Sequence, residues 1–142
     1  AGAAAITVTD AEQNRAEKLA EEIKTAFPET ETDALPPDRK KWENISRDSD
    51  LVVQATPVGM KKEDKSLLGA PAFRKGQMAF DLIYMYPETT FMLTAKDAGA
   101  KTSNGLGMLL HQGACSFSIW TGQQPPIEVM RKALETAVYG RN

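Results

Sequence analysis

Four short groups of residues in this chain have types and spacings suited to chemistry. Asp10 directly follows the apolar, β-branched run Ile6 to Thr9. An acid at that point of a nucleotide-binding sheet holds ribose hydroxyls and repels a 2′-phosphate, and an Asp there is equally a good helix cap. The run QATPVGM, Gln54 to Met60, follows a second apolar segment and presents Thr56 and Gly59 just beyond it. Ligands in open α/β sheets bind at such strand ends, although Thr-Pro near a Gly is also ordinary turn chemistry. Asp81 and Tyr84 end a third such run, Asp81 as a structural acceptor and Tyr84 as either a ligand hydroxyl or a half-buried structural ring. The fourth group lies in NGLGMLLHQGACSFSIWTG, Asn104 to Gly122. There Gly105 and Gly107 leave room for something flat or anionic to approach the backbone, and Gln112 needs hydrogen-bond partners if the stretch is a buried helix.

Other chemistries are excluded by count. His111 is the one histidine and Cys115 the one cysteine. Together they cannot build a metal centre, and His111 has no nucleophile to serve. Cys115, inside the apolar run, reads as a small core residue. Neither a Walker loop nor a G-x-G-x-x-G fingerprint is present.

These groups need a scaffold. With 142 residues, 42% hydrophobic and 25% charged, the chain suits one soluble domain. A net charge of −2 points to neither nucleic acid nor a membrane surface as a partner, and no apolar run is long enough for a bilayer. A lone cysteine fits a reducing cytoplasm. No signal peptide is legible. The opening AGAAAITV reads as the end of a helix turning into a strand, so the chain is expected to start in the middle of a domain.

Periodicity and breakers order the elements. Strands are expected at Ile6 to Thr9, Thr32 to Leu35, Leu51 to Ala55, Met78 to Ile83 and around Lys101 and Thr102. The Leu51 run is expected to be covered on both faces. Helices are expected from Ala11 to Phe27, after Pro37 or Asp38, from Thr89 to Ala98 and from Pro126 onward, besides the long apolar stretch. Lys61 to Lys65 reads as plain solvent-facing loop. Alternation of strands and helices predicts an α/β fold with a parallel sheet and right-handed crossovers.

Taken in order, the groups resemble the C-terminal nucleotide-binding domain of the shikimate/quinate dehydrogenase family over nearly the whole chain. QATPVGM is similar to the family's Asn-Ala-Thr-x-x-Gly-Met, DLIY to its Asp-x-x-Tyr, NGLGMLLHQ to its Gly-Leu-Gly-Met-Leu-x-x-Gln, and WTG before prolines to its exit. The resemblance implies a Rossmann-like parallel sheet flanked by helices, with further helices at the C-terminus. It also implies hydride transfer between a nicotinamide ring and C3 of a ring acid, interconverting 3-dehydroshikimate and shikimate or 3-dehydroquinate and quinate. Matched positions take roles: Gln112 and Tyr84 at the substrate, Leu82 and Gly105 at the nicotinamide through their backbones, Met108 against that ring, and Thr56 at the cofactor cleft. Asp10 and Arg15 fall where the adenosine ribose is read.

The departures matter as much. The family's first strand, glycine-rich phosphate loop and substrate domain, which carries its catalytic Lys and Asp, would precede Ala1. Residues 1–142 are thus expected to be a partial dinucleotide-binding domain, a fragment inactive alone, with no catalytic residue of its own. The NADP-binding motif Asn-Arg-Thr-x-x-Arg is replaced by DAEQNR, Asp10 to Arg15, which predicts a preference for NAD with NADP as the second candidate. Gln54 and Asn104 replace an Asn and an Asp, and Pro87 sits one place late. A sheet without its first strand exposes a central edge, so self-association is expected there. Two alternatives stand beside this reading: a free-standing nucleotide-binding or interaction module without catalysis, and a paralogue acting on another hydroxy acid.

Overall fold

The computed structural model describes residues 2–140. Strands and helices alternate as β1 (Ala5–Thr9), α1 (Gln13–Ala26), β2 (Glu31–Leu35), α2 (Arg39–Asp48), β3 (Leu51–Gln54), β4 (Met78–Asp81), α3 (Thr90–Asp97), β5 (Lys101–Asn104), α4 (Leu106–Thr121) and α5 (Ile127–Tyr139). A 3-10 turn at Ala70–Ala72 lies between β3 and β4. Ala1 lies outside the described residues, and Gly2 to Ala4 are not helical. Instead the Ala3 and Ala4 carbonyls accept from Thr30 Oγ1 (3.1 Å) and Glu31 N (2.9 Å), which seats the chain beside β2.

Local chemistry sets the boundaries. Asp38 caps α2, its carboxylate accepting the Lys40 and Lys41 amides at 2.9 and 3.3 Å. Thr89 caps α3 by accepting from Met92 N at 3.3 Å. Helix α4 stops at Gly122, whose φ of +67° is a left-handed C-cap that a side chain resists.

All strand pairings are parallel. β1 pairs with β2 in the register Ile6↔Thr32 and Val8↔Ala34, and β3-β4-β5 form a second sheet in the register Gln54↔Asp81↔Asn104. In a doubly wound sheet of order 3-2-1-4-5-6 these correspond to strands 3-2 and 4-5-6. β1 and β3 are therefore edge strands among the described residues. This is the α/β arrangement the alternation predicts and the Rossmann-like sheet the resemblance implies, parted where that sheet's first strand would lie.

The core sits on the β3-β4-β5 half. Leu68, Ala72, Phe73, Ala79, Phe91, Met92, Ala95 and Ala100 are buried together, with Trp42, Val52 and Ala98 packed against them. Phe73 and Phe91 meet edge to face at 5.3 Å between centroids, a geometry favoured by the ring quadrupoles. Buried Gln77 ties this core to α2 by donating to the Ser46 and Ser49 carbonyls.

Burial departs from expectation at two places. β3 is not covered on both faces: Leu51 and Val53 are 53% and 50% exposed, because only the Val52 face meets the core. Nor is the long apolar stretch a buried helix. In α4 only Leu110 and Ala114, one turn apart, are buried. Gln112 and Cys115 are exposed, and Ile119 and Trp120 are 80% and 82% exposed. The reason is that α4 has α5 along one flank, with Met130 opposite Gly113, and no cover over the rest among the described residues.

Candidate functional site

The loop after β3 is organised from inside by Gln54, buried at the strand end. Its Nε2 donates to the Val58 carbonyl at 2.7 Å, and its Oε1 accepts the Thr56 amide. Thr56 Oγ1 in turn accepts from Val58 N at 3.2 Å, leaving Thr56 half-buried at the mouth of the loop. Gly59 takes a φ of +104°, which a side chain resists. Its amide and that of Lys61 both donate to Asp64 Oδ2, at 2.9 and 3.2 Å. Those donors hold the Asp64 carboxyl below the usual carboxylate range. Lys61 to Lys65 is the solvent-facing loop expected, anchored by Asp64, whose carbonyl also accepts from Thr90 Oγ1 at 3.1 Å.

Asp81, at the end of β4, is fully buried. It accepts from Ile83 N at 3.0 Å, Thr89 Oγ1 at 2.6 Å and Gln54 Nε2 at 3.4 Å. Burial pushes its carboxyl up, against the Thr89 and Ile83 hydrogen bonds. It is the structural acceptor the sequence allowed, joining the β3 loop, the β4 end and the cap of α3. The Leu82 amide donates to the Gln54 carbonyl at 2.9 Å, so Leu82 is fixed beside the same loop.

Gly105 sits at the next strand end. Its amide donates to Ile83 O at 3.2 Å, and a β-carbon there would overlap the Leu82 carbonyl. The close approach expected of this glycine is therefore first an approach to the chain's own backbone. Gly107 differs, since a β-carbon there meets nothing within 4 Å. Asn104 braces the junction: its Nδ2 donates to Tyr86 O (3.2 Å), Pro87 O (3.1 Å) and Tyr139 Oη (2.8 Å), and its Oδ1 accepts from Leu106 N (3.1 Å). Tyr86 Oη closes the ring by donating to the Met60 carbonyl at 2.9 Å.

Thr56, Leu82 and Gly105 are thus brought together at the carboxyl ends of three neighbouring parallel strands. Around them the side chains of Met60, Tyr84, Met85 and Met108 are exposed, as is Gln112 two turns into α4. His111 is exposed on the same helix. No group of three or more potential metal ligands occurs among the described residues.

Asp10 and Arg15 belong to the other sheet. Asp10 is not itself the helix cap. Its Oδ1 accepts from the amide of Glu12, the cap residue, at 2.8 Å. The Glu12 side chain leaves the helix end uncapped and pairs with Arg15 Nη2 at 2.9 Å.

Sequence reasoning missed Asp64 and undervalued Asn104. Asp64 acts through amides of its own loop and Asn104 through carbonyls 17 and 18 residues back, and main-chain partners leave no mark in residue type or spacing. No helix of the described residues is long and apolar enough to cross a membrane.

Gly105 keeps the strand ends free of bulk beside Leu82, Gly107 opens on free space, and polar groups lie at both β1 and α4. Comparison with known proteins is in accord. A family model described as the shikimate 5'-dehydrogenase C-terminal domain matches residues 105–135. The shikimate dehydrogenase (NADP(+)) of Methanopyrus kandleri is 39% identical over 135 residues, 94% of this chain and 46% of that protein. Among solved structures, the quinate dehydrogenase of Corynebacterium glutamicum in complex with NAD superposes with a TM-score of 0.83 at 29% identity, over 95% of this chain and 47% of that one. The shikimate 5-dehydrogenase of Listeria monocytogenes, in complex with shikimate and NAD, gives 0.80 at 30% identity, over 92% and 47%. The chain spans about half the length of each of these proteins.

Proposed function

The chain belongs to the shikimate dehydrogenase family, whose C-terminal domain it matches, and from that premise we propose that it is the dinucleotide-binding half of an NAD(P)-dependent dehydrogenase of a ring hydroxy acid. The observation that carries this reading is the meeting of Thr56, Leu82 and Gly105 at three adjacent strand ends, where doubly wound folds bind their ligands.

The residues present fit a nicotinamide dinucleotide at its two ends. Asp10 follows β1, where such folds read the adenosine ribose, and the Leu82–Gly105 contact offers a flat floor edged by Met108. When bound, the nicotinamide supplies or accepts a hydride. The chain's own part is to hold and orient. Leu82 and Gly105 present main chain to the nicotinamide, Met108 packs on it, and Thr56 borders the cleft. Gln112 and Tyr84 reach for hydroxyls of the ring acid, shikimate or quinate. Proton transfer falls to residues outside this chain, a Lys and an Asp of a substrate domain, so residues 1–142 alone have no turnover.

The similar proteins carry both dinucleotides. The relative from Methanopyrus kandleri is named for NADP(+), which does not support the NAD preference expected from Asp10, whereas the two solved structures hold NAD.

Absorbance of reduced cofactor tests the reading. The full-length protein with shikimate or quinate and either dinucleotide is expected to turn over, and the 142-residue chain alone is expected to be silent. Turnover by the isolated chain, or none by the full-length protein with either acid, overturns it.

A further inference from the structure

We infer that Glu12 sets the choice between the two dinucleotides by occupying Arg15, a cation in the first turn after β1 suited to receive a 2′-phosphate. The inference rests on the proposed reading of the chain as a dinucleotide-binding domain.

The geometry is local and closed. Asp10 Oδ1 accepts the Glu12 amide at 2.8 Å, and the Glu12 carbonyl accepts the Arg15 amide at 2.9 Å. These two bonds fix the turn from β1 into α1 and put Glu12 and Arg15 one helical turn apart on the same side. The guanidinium then closes on the carboxylate, Nη2 to Oε1, at 2.9 Å. In doubly wound folds an acid at this strand end takes the ribose 2′-hydroxyl, and a nearby Arg accommodates a 2′-phosphate. Here both residues are present, and a second acid already holds the Arg.

The consequence is asymmetric. NAD needs only the Asp10 carboxylate and leaves the Glu12–Arg15 pair intact. NADP must part that pair and set its phosphate beside two carboxylates. Removing the Glu12 charge therefore favours NADP twice, by freeing Arg15 and by removing a repulsion. Both side chains are about two-thirds exposed, 63% for Glu12 and 68% for Arg15, so solvent screens the effect and it is modest.

Isothermal titration of the full-length protein with NAD and with NADP tests this without reference to turnover. Glu12→Gln is expected to tighten NADP binding roughly three- to tenfold and to change NAD binding less than about twofold. In an Arg15→Gln background the same Glu12→Gln step is expected to gain clearly less, because no cation remains to be released. An NADP affinity unmoved by Glu12→Gln overturns the inference while NAD binding upholds the domain's function. An equal gain with and without Arg15 also overturns it, since charge removal alone then accounts for the change. Binding of neither dinucleotide by any variant overturns the proposed function itself, and this inference with it.

Discussion

The α-carbon of Gly105 lies against the main-chain carbonyl of Leu82, so closely that a β-carbon at Gly105 would overlap it. The contact joins the ends of β4 and β5 and is reinforced by the Gly105 amide donating to Ile83 O at 3.2 Å. Gly105→Ala must push the two strand ends apart. It is expected to destabilise the fold by about 1–3 kcal/mol, the usual cost of overpacking. Gly107→Ala, two residues on, meets open space and is expected to stabilise by about 0.5–1 kcal/mol as a helix substitution. Urea denaturation of both variants checks the contrast, and equal effects would show that the Leu82 contact is not what Gly105 is for.

Asp81 makes stability depend on pH with a definite sign. Burial raises its carboxyl above the ordinary value, so the fold favours the protonated form. Its contribution is fully present below the unfolded-state pKa and is lost as pH rises through the higher folded-state value. Asp81→Asn removes that titration. The variant's urea midpoint is expected to change less than the wild type's as pH rises above the ordinary carboxylate value. Asp81→Ala instead orphans the Thr89 hydroxyl and the Ile83 amide and is expected to cost about 2–4 kcal/mol at low pH, where the Asp81 contribution is whole. A wild-type midpoint that falls no more than that of Asp81→Asn would contradict the assignment.

Gln112 separates function from folding. Its side chain is exposed, so Gln112→Ala is expected to leave the unfolding free energy within about 0.5 kcal/mol of wild type. If its amide binds a substrate hydroxyl, kcat/KM of the full-length enzyme should fall about tenfold to a hundredfold, as for one lost hydrogen bond in a site. Steady-state kinetics beside a melting curve decides the matter, and unchanged kcat/KM removes Gln112 from the site.

What the sequence disclosed, and what it hid, follows from the range of each interaction. Local signals were legible: helix starts near Asp38 and at Thr89, and the alternation that yields parallel strands. Thr56 and Gly105 stood out by residue type near strand ends, whereas Leu82 entered only through the family resemblance. Burial was not legible. The apolar run of α4 carries the same residues whether or not something covers Ile119 and Trp120, since hydrophobicity records what a surface needs rather than what meets it. Asp64 and Asn104 escaped for a related reason. Their partners are main-chain amides, carbonyls and a distant Tyr139 hydroxyl, which have no signature in residue type.

The parted sheet carries the last prediction. β3 pairs with β4 on one side only, and Leu51 and Val53 alternate with core-facing Val52 so that two large apolar side chains stand in solvent on an edge strand. Edge strands of this kind recruit another strand. The 142-residue chain is therefore expected to self-associate as its concentration rises, and a Lys at Val53 is expected to suppress this by placing a charge on the edge. The substitution removes little from the core, because Val53 is 50% exposed, so the fold should survive it. Sedimentation velocity across a range of concentrations reads both. A wild-type chain that stays monomeric throughout shows that the edge is closed by some other means. Association unchanged by Val53→Lys places the contact elsewhere, and the uncharged, uncovered face of α4 that carries Ile119 and Trp120 is then the surface to mutate next.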